Sequence, residues 1–242
     1  MGKIRKTSSK PKPAKVKIGK PSKPATTLPP GGVKGYWETR HRQQAGSLQA
    51  AGRLKLSEAD NRRDYAVKRE QIAKVLPQGG GDLLVAGCGT GELIGLYLDR
   101  GFKVVALDFV ADAVEAVRQR YGRQIVVHVA DITNWPAEVK FDVVVCIDVL
   151  LHVVDDKKWR EFLRLTAQDR LKSGGVLVVL DHLVDRPAAS QSYVRLRTLN
   201  QYREAAAAVE LNLLQHKRFN LPAEKVHKDL LVFGGMDGHP AS

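Results

Sequence analysis

The stretch Asp82-Leu-Leu-Val-Ala-Gly-Cys-Gly-Thr-Gly91 decides the fold. It is an apolar run that breaks into Gly87-x-Gly89-x-Gly91 and passes into a helical pattern over 91–99. A short strand buried on both faces reads as a continuous apolar run. Glycine after such a strand allows positive φ and lets a ligand approach bare backbone. The next apolar run, Phe102-Lys-Val-Val-Ala-Leu107, ends in the acid Asp108. A backbone cradle at one strand end and a carboxylate at the next is the geometry of a nucleoside site, with the acid on the ribose. A dinucleotide site wants G-x-G-x-x-G. Here the residue three after Gly89 is Glu92, a poor neighbour for a pyrophosphate.

Outward from this stretch, strands and helices alternate. Strands are expected near 82–86, 102–107, 124–129, 141–146 and 175–181, and helices near 91–99, 110–121 and 156–171. Lys172-Ser-Gly-Gly175 gives the last of these helices a basic final turn and a glycine stop. Strands separated by helices imply a parallel sheet with right-handed crossovers. The end differs. After a helix around 198–209, Leu211-Asn-Leu-Leu-Gln-His-Lys-Arg-Phe219 and His227-Lys-Asp-Leu-Leu-Val-Phe233 are closely connected, which suggests an antiparallel pair. Before the sheet, residues 36–76 read as mostly helical, and Pro77 with Gly79–Gly81 breaks the chain. Three segments are expected: a disordered Lys/Pro-rich basic tail over 1–35, a helical cap or lid over 36–80, and a ligand-binding core over 81–242.

Composition bounds the function. Hydrophobic residues make up 43% and charged residues 27%, as in ordinary soluble domains. No apolar run approaches the ~20 residues of a membrane span, and the basic N-terminus has no apolar stretch behind it, so a cytoplasmic location is expected. Cys88 and Cys146 form no CxxC pattern, which fits a reducing compartment and argues against a zinc site; no metal is expected. Of the net charge of +13, ten positive charges and no acid fall in residues 1–35, leaving +3 for the remainder. Such a tail has little to bury. It is either a solubilising extension or an arm for nucleic acid. No aromatic interleaves its lysines before Tyr36, so it offers no base stacking.

Taken in order, Gly87-Cys-Gly-Thr-Gly91, Val105-Ala-Leu-Asp108, Val129-Ala-Asp-Ile132, Phe141-Asp-Val-Val-Val-Cys-Ile-Asp-Val-Leu-Leu-His-Val153 and Leu171-Lys-Ser-Gly-Gly175 resemble the successive motifs of the class I S-adenosylmethionine-dependent methyltransferases, of the small-molecule type. The resemblance covers roughly residues 36–234. It implies a Rossmann-like, mostly parallel seven-stranded sheet with an antiparallel last strand, and S-adenosyl-L-methionine as cofactor. It implies that Gly87, Cys88, Gly89 and Gly91 cradle the cofactor and that Asp108 holds its ribose. Asp131 and Ile132 would meet the adenine, Phe109 would flank the adenine face or else pack under helix 110–121, and Ile147 would line the cofactor by backbone and side chain. Arg69 would meet the cofactor carboxylate, or else be a solvated arginine beside Lys68. Trp37 and Arg40 would form a lid, or else a packing anchor. Asp108 is alternatively a helix cap and Asp131 a turn starter. Asp142, at the start of its strand, reads as structural. The family usually carries an acid two residues before the first glycine, which helps to position the methionine end; this chain has Val85.

For acid–base work His152 is the first candidate, since imidazole titrates near neutral pH, although a histidine there also orders its loop. His182 and Asp185 would face the acceptor. In-line methyl transfer draws much of its rate from positioning, so a dedicated base is not obligatory. The segment Cys146-Ile-Asp-Val149 lacks the proline and aromatic that would stack a flipped base. The expected activity is methyl transfer to oxygen, nitrogen or carbon of a small-molecule acceptor. The alternatives are an RNA or protein methyltransferase using the basic tail, and a cofactor-binding protein without catalysis. Oligomeric state is not legible.

Overall fold

The structure is a computed structural model and describes residues 28, 30–186 and 192–235. Two helices, α1 (Gly32–Gln43) and α2 (Glu58–Ala73), precede the sheet. Then follow β1 (Gly81–Ala86), α3 (Ile94–Asp99), β2 (Phe102–Asp108), α4 (Ala111–Tyr121), β3 (Ile125–Val129), β4 (Phe141–Ile147), α5 (Asp156–Leu165), β5 (Leu171–Asp181), α6 (Leu199–Ala207), β6 (Asn212–Asn220) and β7 (His227–Gly234). The seven strands lie in the order β3-β2-β1-β4-β5-β7-β6. β1 to β5 pair in parallel, and β7 inserts antiparallel between β5 and β6.

Continuous apolar runs make the central strands because both faces are buried. Leu83, Val85, Val143 and Val145 join Ile72, Ile94, Tyr97, Val114 and Val117 on one face. Leu84, Ala86, Val144 and Cys146 join Trp159, Phe162, Leu163 and Tyr202 on the other. Helices α2, α3 and α4 therefore cover one side, and α5 and α6 the other. The chain runs outward from β1 to β2 and β3, then crosses back to β4 on the far side of β1. That reversal opens a crevice at the carboxyl ends of β1 and β4, where open α/β sheets bind their ligands.

Four boundaries differ from the sequence reading. The helix expected over 91–99 starts at Ile94, because residues 87–93 are spent on the turn out of β1. The helix expected over 156–171 ends at Leu165 and closes with a wide turn over Thr166–Arg170. Leu171 already pairs with Phe141, so β5 starts well before 175, with a register shift between Phe141 and Val143. Finally, α1 begins at Gly32, so residues 32–35 belong to a helix and not to a tail. Gly35 is buried there, where a Cβ would strike the Pro30 carbonyl. The rest of the tail lies outside the described residues.

Helix α2 has an unusual inner face. Its buried residues are Asn61, Asp64, Lys68 and Ile72, a helical stripe that is polar over three of four positions. Asn61 accepts from the Arg53 backbone N–H (2.8 Å) and donates to the Arg53 carbonyl (3.0 Å). The Asp64 carboxylate accepts the backbone N–H groups of Ala223 and Glu224, both at 2.9 Å, in the turn between β6 and β7. Arg53 also pairs with Glu224. The helices before the sheet are thus fixed to the last hairpin by hydrogen bonds.

A chain beginning at Leu28 is expected to melt with the full-length protein, whereas one beginning at Gly35 loses the first turn of α1 and melts lower. Equal melting of the two shortened chains in differential scanning calorimetry would return residues 32–34 to the tail.

Candidate functional site

A cavity of about 630 Å³ sits over the carboxyl ends of β1, β2 and β4. Its floor on the β1 side is the turn Gly87–Gly89. Gly87 has φ +86° and Gly89 φ +51°, and a Cβ on Gly87 would lie 2.5 Å from Val149. Both positions therefore need glycine, and the turn leaves bare backbone towards the cavity. Gly87 and Cys88 N–H both donate to the Leu107 carbonyl at 2.9 Å, which ties this turn to the end of β2. Burial pushes the Cys88 thiol well above its ordinary pKa, so it stays protonated.

Asp108 ends β2 beside this turn. Its carboxylate accepts the Gly89 N–H at 2.9 Å and the Val110 N–H at 3.0 Å. Helix α4 has no side-chain cap, so Asp108 organises the glycine turn instead of capping that helix. Burial raises its pKa against these backbone donors. Phe109, Asp131, Ile132 and Ile147 all line the same cavity. Asp131 also starts a turn, accepting the Thr133 N–H and hydroxyl at 2.8 Å.

The opposite wall comes from the N-terminal helices and from the segment after β4. Trp37 and His41 reach the cavity from α1 and Tyr65 from α2. Arg40 lies over the Trp37 ring at 4.8 Å and donates to the Gln49 carbonyl at 2.8 and 2.9 Å, and to that of Gly52, so it is an anchor. His152 meets Trp37 edge-on, with ring centroids 4.9 Å apart. Its Nδ1 lies 2.8 Å from the Tyr193 carbonyl oxygen. A carbonyl only accepts, so the proton is on Nδ1 and the Nε2 lone pair is open. Burial lowers the His152 pKa to about 4, so the ring is neutral at pH 7.

Asp148 follows β4 with φ +57°, a left-handed conformation that aspartate tolerates better than most residues. Its Oδ2 lies 2.7 Å from Lys68 Nζ and its Oδ1 2.6 Å from Lys228 Nζ. Both lysines are buried, and Asp148 faces the cavity. Burial alone would raise the Asp148 pKa, but the two ammonium groups outweigh it and hold the carboxyl well below the usual range.

Four residues named from the sequence are not brought to this cavity. Gly91 is turned to packing: its carbonyl accepts from the Tyr121 hydroxyl at 2.9 Å, and a Cβ would press on Val117 at 3.0 Å. Arg69 pairs with Asp99 at 2.5 Å on the outer side of α2, while its neighbour Lys68 is the buried one. Adjacent helical residues point about 100° apart, and the stripe selects Lys68. His182 bonds the His227 carbonyl at 2.9 Å and lies tilted against its ring, centroids 4.6 Å apart, away from the cavity. Asp185 is an exposed partner of Arg218. Asp142 is structural as expected, accepting the Asp82 N–H at 2.7 Å and Lys172 Nζ at 2.8 Å.

Conversely, the sequence reading gave no site role to Tyr65, Lys68, Asp148 or Lys228. The signal for Lys68 was present in the 61-64-68-72 spacing. Nothing local marks Lys228, which only the β7 insertion carries to the end of β4. Among the described residues no group of three or more His, Cys, Asp or Glu is placed to hold a metal ion, and no helix is long and apolar enough to cross a membrane.

Residues 83–175 match the family model described as a methyltransferase domain. No curated protein matches the sequence. Several solved structures share the fold. The magnesium protoporphyrin IX methyltransferase of Synechocystis, solved with its methyl donor bound, is 17% identical with a TM-score of 0.66, over 84% of this chain and 95% of that one. The 1,6-didemethyltoxoflavin-N1-methyltransferase of Burkholderia thailandensis is 18% identical with a TM-score of 0.62, over 88% and 94%. The N-methyltransferase NodS of Bradyrhizobium japonicum is 18% identical with a TM-score of 0.61, over 72% and 97%. The strand order and the family match agree: residues 83–175 carry a methyltransferase domain, in the Rossmann-like fold that these solved methyltransferases share.

Proposed function

We propose that the protein methylates a small molecule at an oxygen, nitrogen or carbon atom that carries a hydrogen. The observation that carries this reading is a single cavity with two different walls: the glycine turn and Asp108 on one side, and Trp37, Tyr65, Asp148 and His152 on the other. The first wall fits S-adenosylmethionine, since bare backbone at Gly87 and Gly89 and a buried carboxylate suit a nucleoside. Asp108 would hold the ribose, and Asp131, Ile132 and Phe109 the adenine. When bound, the cofactor supplies an electrophilic methyl group on a sulfonium.

The second wall receives the acceptor. Trp37 and Tyr65 orient it, and closure by α1 excludes water. His152 Nε2 accepts the proton from the reacting atom and passes it to solvent. The fold relatives named above include enzymes for a porphyrin and for a toxoflavin precursor, which supports a small acceptor here. Free thiols at Cys88 and Cys146 support a reducing, cytoplasmic setting.

The test is twofold. S-adenosylhomocysteine should raise the melting temperature and NAD should not, because only a ligand bound by the native state stabilises it. Labelled methyl should then appear in the small-molecule fraction of a cell extract. Label confined to RNA or protein would transfer the assignment to the basic tail's partners.

His152 adds a pH prediction. Its imidazole is neutral above about pH 4, so kcat should be flat from pH 6 to 8 and fall only below about pH 5. His152→Phe should lower kcat by about a hundredfold, the lower end for a positioned base. A kcat that falls as pH rises through about 6.5, with that fall absent in the variant, would show a protonated working form instead.

A further inference from the structure

The acceptor wall holds a second layer of information in its hydrogen-bonding groups. Two polar groups reach it from the segment after β4. His152 presents Nε2 as a lone pair, because Nδ1 carries the proton to the Tyr193 carbonyl. Asp148 presents an ionised carboxylate, which has about four acceptor sites. Lys68 and Lys228 take one on each oxygen, at 2.7 and 2.6 Å. What remains for a ligand is acceptor capacity only. The two ammonium groups are not available to it: their side chains are 9% and 5% exposed, and they lie behind the carboxylate.

The charge of this group acts against ions of either sign. A carboxylate brought to the wall meets Asp148 face to face. An ammonium meets Asp148 with two buried ammonium groups close behind it, a trio of net charge +1. In a site shielded from water neither juxtaposition is relieved by solvent. The other charges of the cavity do not alter this. Glu92 is paired with Arg120, and Asp155, Lys158 and Lys34 are exposed at the rim, where salt and water screen them. His41 is neutral, burial having lowered its pKa to about 4. The rest of the wall is flat and aromatic: Trp37 edge-on to His152, and Tyr65 with Lys68 4.8 Å over its ring.

We infer that the acceptor is uncharged and planar at its reacting end and offers two hydrogen-bond donors, one to His152 Nε2 and one to the Asp148 carboxylate, as an aromatic or heteroaromatic compound bearing two hydroxyl or ring N–H groups does. This rests on the two-wall reading of the cavity and gives its acceptor half a chemical class. The left-handed backbone at Asp148 has the same purpose. It turns the side chain from the strand end towards the cavity, at a conformational cost of the kind that collects at functional sites.

The experiment uses the full chain saturated with S-adenosylhomocysteine, and three probes that share one ring, one ring hydroxyl and one size: the 3-hydroxy forms of benzyl alcohol, benzoate and benzylamine. Binding is read by ligand-observed NMR. A melting shift with S-adenosylhomocysteine is the prior control; its absence would overturn the cofactor reading itself. With that shift in place, the benzyl alcohol should bind at least tenfold more tightly than either ion. Asp148→Asn leaves two unneutralised lysines and should invert the order in favour of the benzoate by tenfold or more. Lys228→Met leaves one lysine against one carboxylate and should relieve the exclusion of the benzylamine. If one variant fails to fold, the other still decides. Tight binding of either ion to the wild type, or an unchanged order in the folded variants, would overturn the inference.

Discussion

Asp148→Ala is expected to be the most destabilising single substitution in the cavity, at about 3–5 kcal/mol. Removing one member of a buried ionic group costs this much because the charges left behind stay buried without a partner. Here two are left, Lys68 and Lys228, with relative exposures of 7% and 4%. They come from α2 and β7, so the loss also loosens the N-terminal helices from the sheet. The pH dependence has a definite sign. The folded carboxyl is held below its ordinary pKa, so its contribution is complete above the unfolded value of about 4 and is lost as pH falls through the lower folded value. The gap in urea midpoint between wild type and Asp148→Ala should therefore be full at pH 7 and begin to shrink as pH falls below about 4. A gap that stays constant with pH would mean that the side chain stabilises by packing and not by charge.

Asp108→Ala is expected to weaken S-adenosylhomocysteine binding by at least a hundredfold. Loss of hydrogen bonds to a charged acceptor accounts for roughly 1.5–3 kcal/mol, or about ten- to hundredfold. A further loss follows from the glycine turn, because the same carboxylate orders the Gly89 N–H. The binding surface is thus disordered as well as depleted. Stability should fall by about 1–3 kcal/mol, since Gly89 and Val110 lose their acceptor together. Asp108→Asn keeps one carbonyl oxygen but brings an NH₂ group against a backbone N–H, so it should recover little. Calorimetry with unchanged affinity in either variant would leave Asp108 as a purely structural organiser of the turn.

The sheet was legible because its signals are local. Leu83 to Ala86 and Val143 to Cys146 are apolar at every position, which only a strand buried on both faces requires. Gly87, Gly89 and Asp108 were legible for the same reason: each follows the end of such a run. The parts that were not legible depend on side-chain direction or on distant pairing. Arg69 and Lys68 are neighbours in sequence, and the burial of one instead of the other turns on the register of α2 against the β6–β7 turn. Lys228 reaches Asp148 only because β7 inserts beside β5. Leu171 was read as helix because Lys172-Ser-Gly-Gly175 looks like a helix stop, whereas its pairing with Phe141 starts the strand early. His182 stands after a strand end, as a functional histidine would, but its ring is held by His227.

The polar inner stripe of α2 has a thermal consequence. Exposure of apolar surface gives unfolding its large positive heat capacity, and exposure of polar surface contributes a smaller amount of opposite sign. Parting Asp64 from the hairpin turn and Lys68 from Asp148 exposes mainly polar groups, which water can serve as well as the protein does. The free energy of that parting runs nearly straight with temperature, while that of the apolar sheet follows a dome. As the protein warms, the α2 wall that carries Tyr65 into the cavity is expected to loosen below the melting of the strands, which hydrogen exchange at rising temperature would show. Heat thus reaches the doorway of the cavity before it reaches the floor.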